Sequence, residues 1–110
     1  EELEISASNK IHDLIKRIYN EDDFDLMERI VDTLEILSSS SIELNVCKAQ
    51  NIYYKIWMEK YPRKITEAIR LSQQMHKLEE DRLKSATHRT AVLWIDLFHK
   101  IGKNLRMAIN

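Results

Sequence analysis

Gly102 and Pro62 are the only glycine and the only proline in this chain of 110 residues. Average usage of about 7% Gly and 5% Pro would supply roughly eight and five. Folds built from many tight turns need glycines at positive φ and prolines in their connections, so sandwiches, propellers and small barrels are poor candidates. Glycine-rich phosphate loops are excluded outright, because neither the dinucleotide fingerprint nor the P-loop can be written with Gly102 alone. What remains is an all-α chain, expected to form an antiparallel bundle of four to five helices.

With 44% hydrophobic and 32% charged residues, the chain reads as one globular helical domain over residues 1–110. No apolar run approaches the ~18 residues of a membrane span, and the opening EELEISASNK has neither a basic n-region nor an apolar h-region. Neither a membrane nor a secretory route is expected. The sequence opens on Glu1 rather than Met, which points to an excised domain or a processed product. Cys47 is the single cysteine; it cannot form an internal disulfide, and a reducing, cytoplasmic compartment follows as the expectation.

Charge is unevenly divided. From Glu1 to Lys55 there are six basic against twelve acidic residues, and from Ile56 to Asn110 eleven against six. The positive half interleaves Glu59, Glu67, Glu79, Glu80, Asp81 and Asp96 instead of clustering one sign, so no nucleic-acid partner is expected. The acidic half is expected to pack antiparallel against the basic half, each screening the other.

Apolar spacing places the helices. Ile11, Leu14, Ile15 and Ile18 recur at threes and fours and predict a first helix from about Glu2 to Tyr19. Asn20 is the expected N-cap of a second, with Asp22, Asp23 and Asp25 in its first turn and Tyr19 stapled to Phe24. Leu26, Met27, Ile30, Val31, Leu34 and Leu37 carry its stripe. Ser38 to Leu44 is the longest connection, with a short extended stretch expected at Ile42 to Leu44. A third helix is expected from Asn45, with Leu44 and Ala49 as a staple pair, to about Lys60. Pro62 should stop it and open the next, making the two antiparallel neighbours across a tight turn.

From Arg63 to Ile101 an unbroken four-three stripe runs through Ile65, Ile69, Ser72, His76, Glu79, Leu83, Ala86, Thr90, Leu93, Leu97 and Ile101. One helix of that length would reach about 58 Å, so a break within KLEEDR is expected, giving helices of about 63–78 and 81–101. Gly102 should then occupy C′, with Lys100 and Lys103 at the negative end of the dipole. Leu105 to Ile109 should form a closing turn.

No motif names a reaction. The acidic run Glu21, Asp22, Asp23, Asp25 lacks the central Gly and twelfth-position Glu of an EF-hand. His12, His76, His88 and His99 include no pair three to five residues apart, and no Glu-x-x-His occurs, so neither a zinc nor a di-iron site is expected. His88 and His99 share a face with Val92 and Ile95 but stand roughly 16 Å apart along a helix. Cys47, near a helix N-terminus, has no evident base. No cofactor, metal or catalytic residue is therefore assigned.

Helix three is the informative segment. On a 100° wheel, Ile52, Ile56, Ala49, Tyr53, Val46 and Trp57 fill one arc, and Tyr61, Cys47, Tyr54 and Met58 fill another. An outer helix of a small bundle needs one apolar stripe of about 100°, so the second arc is expected to face something outside the domain. Tyr54, Met58, Tyr61 and Trp57 are the candidate interface residues, and a homodimer is one form such an interface could take.

The string Leu44-Asn45-Val46-Cys47-Lys48-Ala49-Gln50-Asn51-Ile52-Tyr53-Tyr54 resembles the helical domain at the C-terminal end of some family 57 glycoside hydrolases, over about Phe24 to Tyr61. Cys47 stands where that pattern has a tryptophan. The resemblance implies a non-catalytic accessory domain packed on a catalytic barrel that acts on α-glucans; that family's catalytic carboxylates belong to the barrel, and none maps onto this chain. The other reading is a free-standing helical interaction or dimerisation module.

Overall fold

The computed structural model describes residues 2–40, 42–75 and 82–107. They form five helices: α1 (Glu2–Asn20), α2 (Phe24–Ser38), α3 (Cys47–Glu59), α4 (Tyr61–Met75) and α5 (Arg82–Asn104). The chain is an all-α bundle, and no strand occurs among the described residues.

The predicted stripes of α1 and α2 are the core. Ile11, Leu14, Ile15 and Ile18 meet Leu26, Met27, Ile30, Val31 and Leu34, all buried, while Tyr19, Phe24 and Leu37 pack against them from the side. The cap between the two helices is Asp23 rather than Asn20. Asp23 is extended and its carboxylate accepts the Leu26 N–H at 3.0 Å. Asn20 instead ends α1 and donates its side-chain amide to the Lys16 carbonyl. Four carboxylates, Glu21, Asp22, Asp23 and Asp25, follow Asn20 before the first core residue, and the one three places before Leu26 has the reach to cap its free N–H.

The connection at 39–46 carries the chain back along the bundle. It sets α3 beside α1 with both running the same way: the Asn45 N–H donates to Ser8 Oγ at one end, and Tyr19 donates to Glu59 at the other. The helix opens at Cys47, two residues later than expected, because Asn45 spends its side chain on the Cys47 N–H in a local turn. Leu44 and Ala49 both sit against the core.

Beyond Glu59 the expected hairpin does not form. Along α5, Gln50 meets Leu105, Tyr53 meets Phe98, Tyr61 meets His99 and Lys64 lies over Trp94. Both α3 and α4 thus run antiparallel to α5, and α4 continues α3 after a bend at Lys60 instead of folding back. Pro62 explains the bend: it has no N–H for the Met58 carbonyl and its ring crowds that carbonyl, yet its fixed φ suits a first turn. The helix is interrupted and then resumes.

α4 and α5 are separate helices lying antiparallel, while the expected break within KLEEDR falls largely outside the described residues, as do His76, Glu79 and residues 108–110 of the closing turn. The continuous stripe does not survive this folding. Leu97 and Ile101 are buried, but Ile69 and Leu93 are 54% and 41% exposed, and Ala86 and Thr90 also face outward. Two helices that face each other each need their own stripe, and here these are led by Leu71 on one side and Ala91, Trp94, Leu97, Phe98, Ile101 and Leu105 on the other.

Gly102 does not end α5 either. It lies buried inside the helix, which runs on to Asn104 because Leu105 is drawn fully into the core. The left-handed residue is Arg106, at φ 62°. Its N–H reaches the Lys103 carbonyl and the Met107 N–H reaches the Gly102 carbonyl, the pair of bonds that defines a Schellman stop.

The molecule measures 57 × 23 × 22 Å. α1, α2, α3 and the C-terminal half of α5 enclose the core; α4 and the N-terminal half of α5 form a two-helix arm.

Candidate functional site

The second apolar arc of α3 faces outward. Ala49, Tyr53 and Ile56 point into the core, with Ile52 and Trp57 half-buried beside them, while Tyr54 and Met58 are 50% and 58% exposed and Cys47 is exposed. Tyr54 and Met58 are one turn apart, and the Tyr54 ring meets the half-buried Trp57 edge-on, centroids 5.7 Å apart. This makes a continuous apolar ridge rather than scattered side chains. Exposed Lys48 and Lys55 stand on the same outer face; the Lys55 ammonium lies 4.8 Å over the Tyr19 ring.

Tyr61 does not belong to this ridge. The bend at Lys60 takes it off the wheel of α3 and turns it to α5, where its hydroxyl bonds His99 Nε2 at 2.8 Å and its ring packs on Phe98. His99 is thereby a structural neighbour of α4, on a different contact from His88.

Behind the ridge lies a stack of rings. Tyr53 and Phe98 are 4.2 Å apart and nearly parallel, and Phe98 and Trp94 are 4.9 Å apart at 13°. The Lys64 ammonium sits 5.5 Å from the Trp94 ring. The Tyr53 hydroxyl donates to the Phe98 carbonyl, and burial, with a smaller contribution from Tyr61, pushes its pKa far above the ordinary tyrosine range. It serves as a fixed donor, not as an acid. Trp94 Nε1 is buried without an acceptor among the described residues.

The acidic run after α1 is a joint. Lys60 Nζ donates to the Ile18 and Tyr19 carbonyls at the end of α1 and to Asp22 at 2.6 Å, and Lys64 reaches the other Asp22 oxygen at 2.7 Å. Burial alone would raise the Asp22 pKa, but the hydrogen bonds and charges of the two lysines outweigh it and hold the carboxyl below its usual range.

A cleft of about 230 Å³ opens beside the start of α3, between Glu4, Ser8, Glu43 and Lys48. Ser8 there is already engaged by the Asn45 N–H. Among the described residues no three His, Cys, Asp or Glu side chains converge, and no helix is long and apolar enough to cross a membrane. Sequence reasoning missed a second surface, a groove of about 210 Å³ between α2 and α5 lined by Glu28, Val31, Asp32, Leu93, Asp96, Leu97 and Lys100. It joins residues more than sixty positions apart, and no local pattern announces it.

No protein-family model, curated protein or solved structure matches the chain.

Proposed function

We propose that this chain is a helical docking module that joins protein parts through the outer face of α3 and carries no chemistry of its own. The observation that supports this reading is the ridge of Tyr54 and Met58, apolar and half-exposed on a helix whose opposite face is already seated in the core. An exposed apolar ridge rimmed by polar groups is the usual form of a protein contact. The resemblance to the C-terminal helical domain of family 57 glycoside hydrolases supports an accessory role alongside a catalytic domain acting on α-glucans.

Tyr54→Ser and Met58→Ser are expected to change folding stability by no more than about 0.5 kcal/mol while weakening association at least tenfold, measured by denaturant melts and sedimentation side by side. A large loss of stability with unchanged association would overturn the reading. Hydroxyl-radical footprinting gives a second readout. Tyr54 and Met58 should oxidise readily in the dilute chain and be protected in its assembled state.

A further inference from the structure

The fold separates the two signs of charge that the sequence divides between its halves. α2 presents Asp25, Glu28, Asp32 and Glu35 on its exposed side, and none of them forms an ion pair among the described residues. The only such pairs that join the two halves are those of Asp22 with Lys60 and Lys64. Among the described residues, direct ion pairing between the acidic and basic halves is therefore confined to one corner.

The groove between α2 and α5 concentrates this acidity. Its floor is Val31 and Leu97 with Leu93 standing 41% exposed, and its walls are Glu28, Asp32 and Asp96. Lys100 at its lower end pairs with Asp96 at 3.2 Å, and Glu28 and Asp32 have no ion pair among the described residues, so the groove holds three carboxylates against one lysine. The α3 face carries an apolar ridge of Tyr54 and Met58 beside a charged stripe of Lys48, Lys55 and Glu59, which is basic on balance. α1 packs against both α2 and α3, which lie on the two sides of the bundle, so ridge and groove of one molecule cannot meet each other.

We propose that the occupant of the α3 ridge is a second copy of this chain, offering its α2–α5 groove. The proposal rests on the reading of that ridge as a docking surface and names its partner. Lys48 and Lys55 meet Glu28 and Asp32, and Tyr54 and Met58 meet the exposed Leu93. The association is head to tail, and each added copy leaves one free ridge and one free groove.

Sedimentation velocity of the purified chain tests this. Wild type should associate increasingly with concentration, and raising salt from low to physiological strength should weaken it several-fold. Two blocked variants decide the geometry: Lys55→Glu with Met58→Ser closes the ridge, and Asp32→Lys closes the groove. Each alone should be monomeric with a wild-type helical spectrum, and their equimolar mixture should form a one-to-one dimer and stop there. Glu28→Lys replaces Asp32→Lys should the latter fail to fold. A folded mixture that does not pair, or a blocked variant that associates like wild type, overturns the head-to-tail arrangement. A wild-type chain monomeric at millimolar concentration and low salt overturns the second copy as occupant; footprint protection of Tyr54 and Met58 in an assembly with another protein would then leave the docking reading standing, and equal oxidation in both states would remove it.

Discussion

The body of the molecule and its arm are made of the same material, long amphipathic helices, yet they are held very differently. In the body, α1, α2, α3 and the lower half of α5 each bury several large side chains, from Ile11 and Met27 to Tyr53 and Phe98. In the arm, Leu71 is the one buried hydrophobic of α4 among the described residues, Ala91 faces it from α5, and Ile69 and Val92 remain about half exposed. A stripe stabilises a helix in proportion to the number of neighbours that cover it, and a pair of helices covers less than a ring of four. Opening free energy should therefore fall from body to arm along the single helix α5.

The sharpest way to break this comparison is to remove one side chain from each region. Phe98 touches the rings of Tyr53, Trp94 and Tyr61, so Phe98→Ala should lose about 3–5 kcal/mol, a large part of the stability of a domain this size. Leu71→Ala should lose about 2 kcal/mol, and native-state hydrogen exchange should show the loss as faster exchange confined to α4. Equal and global effects of the two substitutions would show that arm and body open as one unit.

A smaller effect is expected where the regions join. Asp22 clasps Lys60 and Lys64 at the base of the arm with a side chain still 40% exposed, so solvent screening limits the joint to about 0.5–1 kcal/mol. Its folded-state pKa is depressed; the stability it contributes is present above about pH 4, the unfolded range, and is lost as pH falls through the lower folded value. Asp22→Asn should thus be less stable than wild type at pH 7, and the gap should close on acidification in parallel denaturant melts.

The last effect is of similar size and has the opposite sign. Arg106 holds the left-handed position of the α5 stop, a conformation that penalises a residue with a Cβ by about 1–2 kcal/mol. Part of that is offset by the greater freedom of glycine when unfolded. Arg106→Gly should raise stability by about 0.5–1 kcal/mol, read as a shift of the melting midpoint.

Where one helix and its own period decide the outcome, the structure could be read from the residues. Ile11 to Ile18 and Leu26 to Leu34 are buried as their spacing requires, and the wheel of α3 separates Ala49, Tyr53 and Ile56 from Tyr54 and Met58. The wheel misplaced Tyr61 because it assumed a straight axis, and Pro62 bends that axis one residue earlier. Asn20 and Gly102 are good end signals by residue type, but ends are fixed by which N–H and C=O groups find partners; Asp23 and Arg106 sit where those bonds close. The spacing that sets Leu93 in a core stripe runs across two helices, and their packing turns it to the groove. The groove itself arises from the pairing of α2 with α5, information that resides in tertiary packing alone.

Because α4 carries on past Pro62 instead of turning back, α5 is the only element that spans arm and body, and it does so as an uninterrupted rod. A sideways push on the arm should be resisted near its foot, where Tyr61 bears on His99 and Lys64 grips Asp22, and should be passed along α5 to the ring stack of Trp94, Phe98 and Tyr53. The arm is in mechanical terms a lever whose short end lies directly behind the ridge of α3.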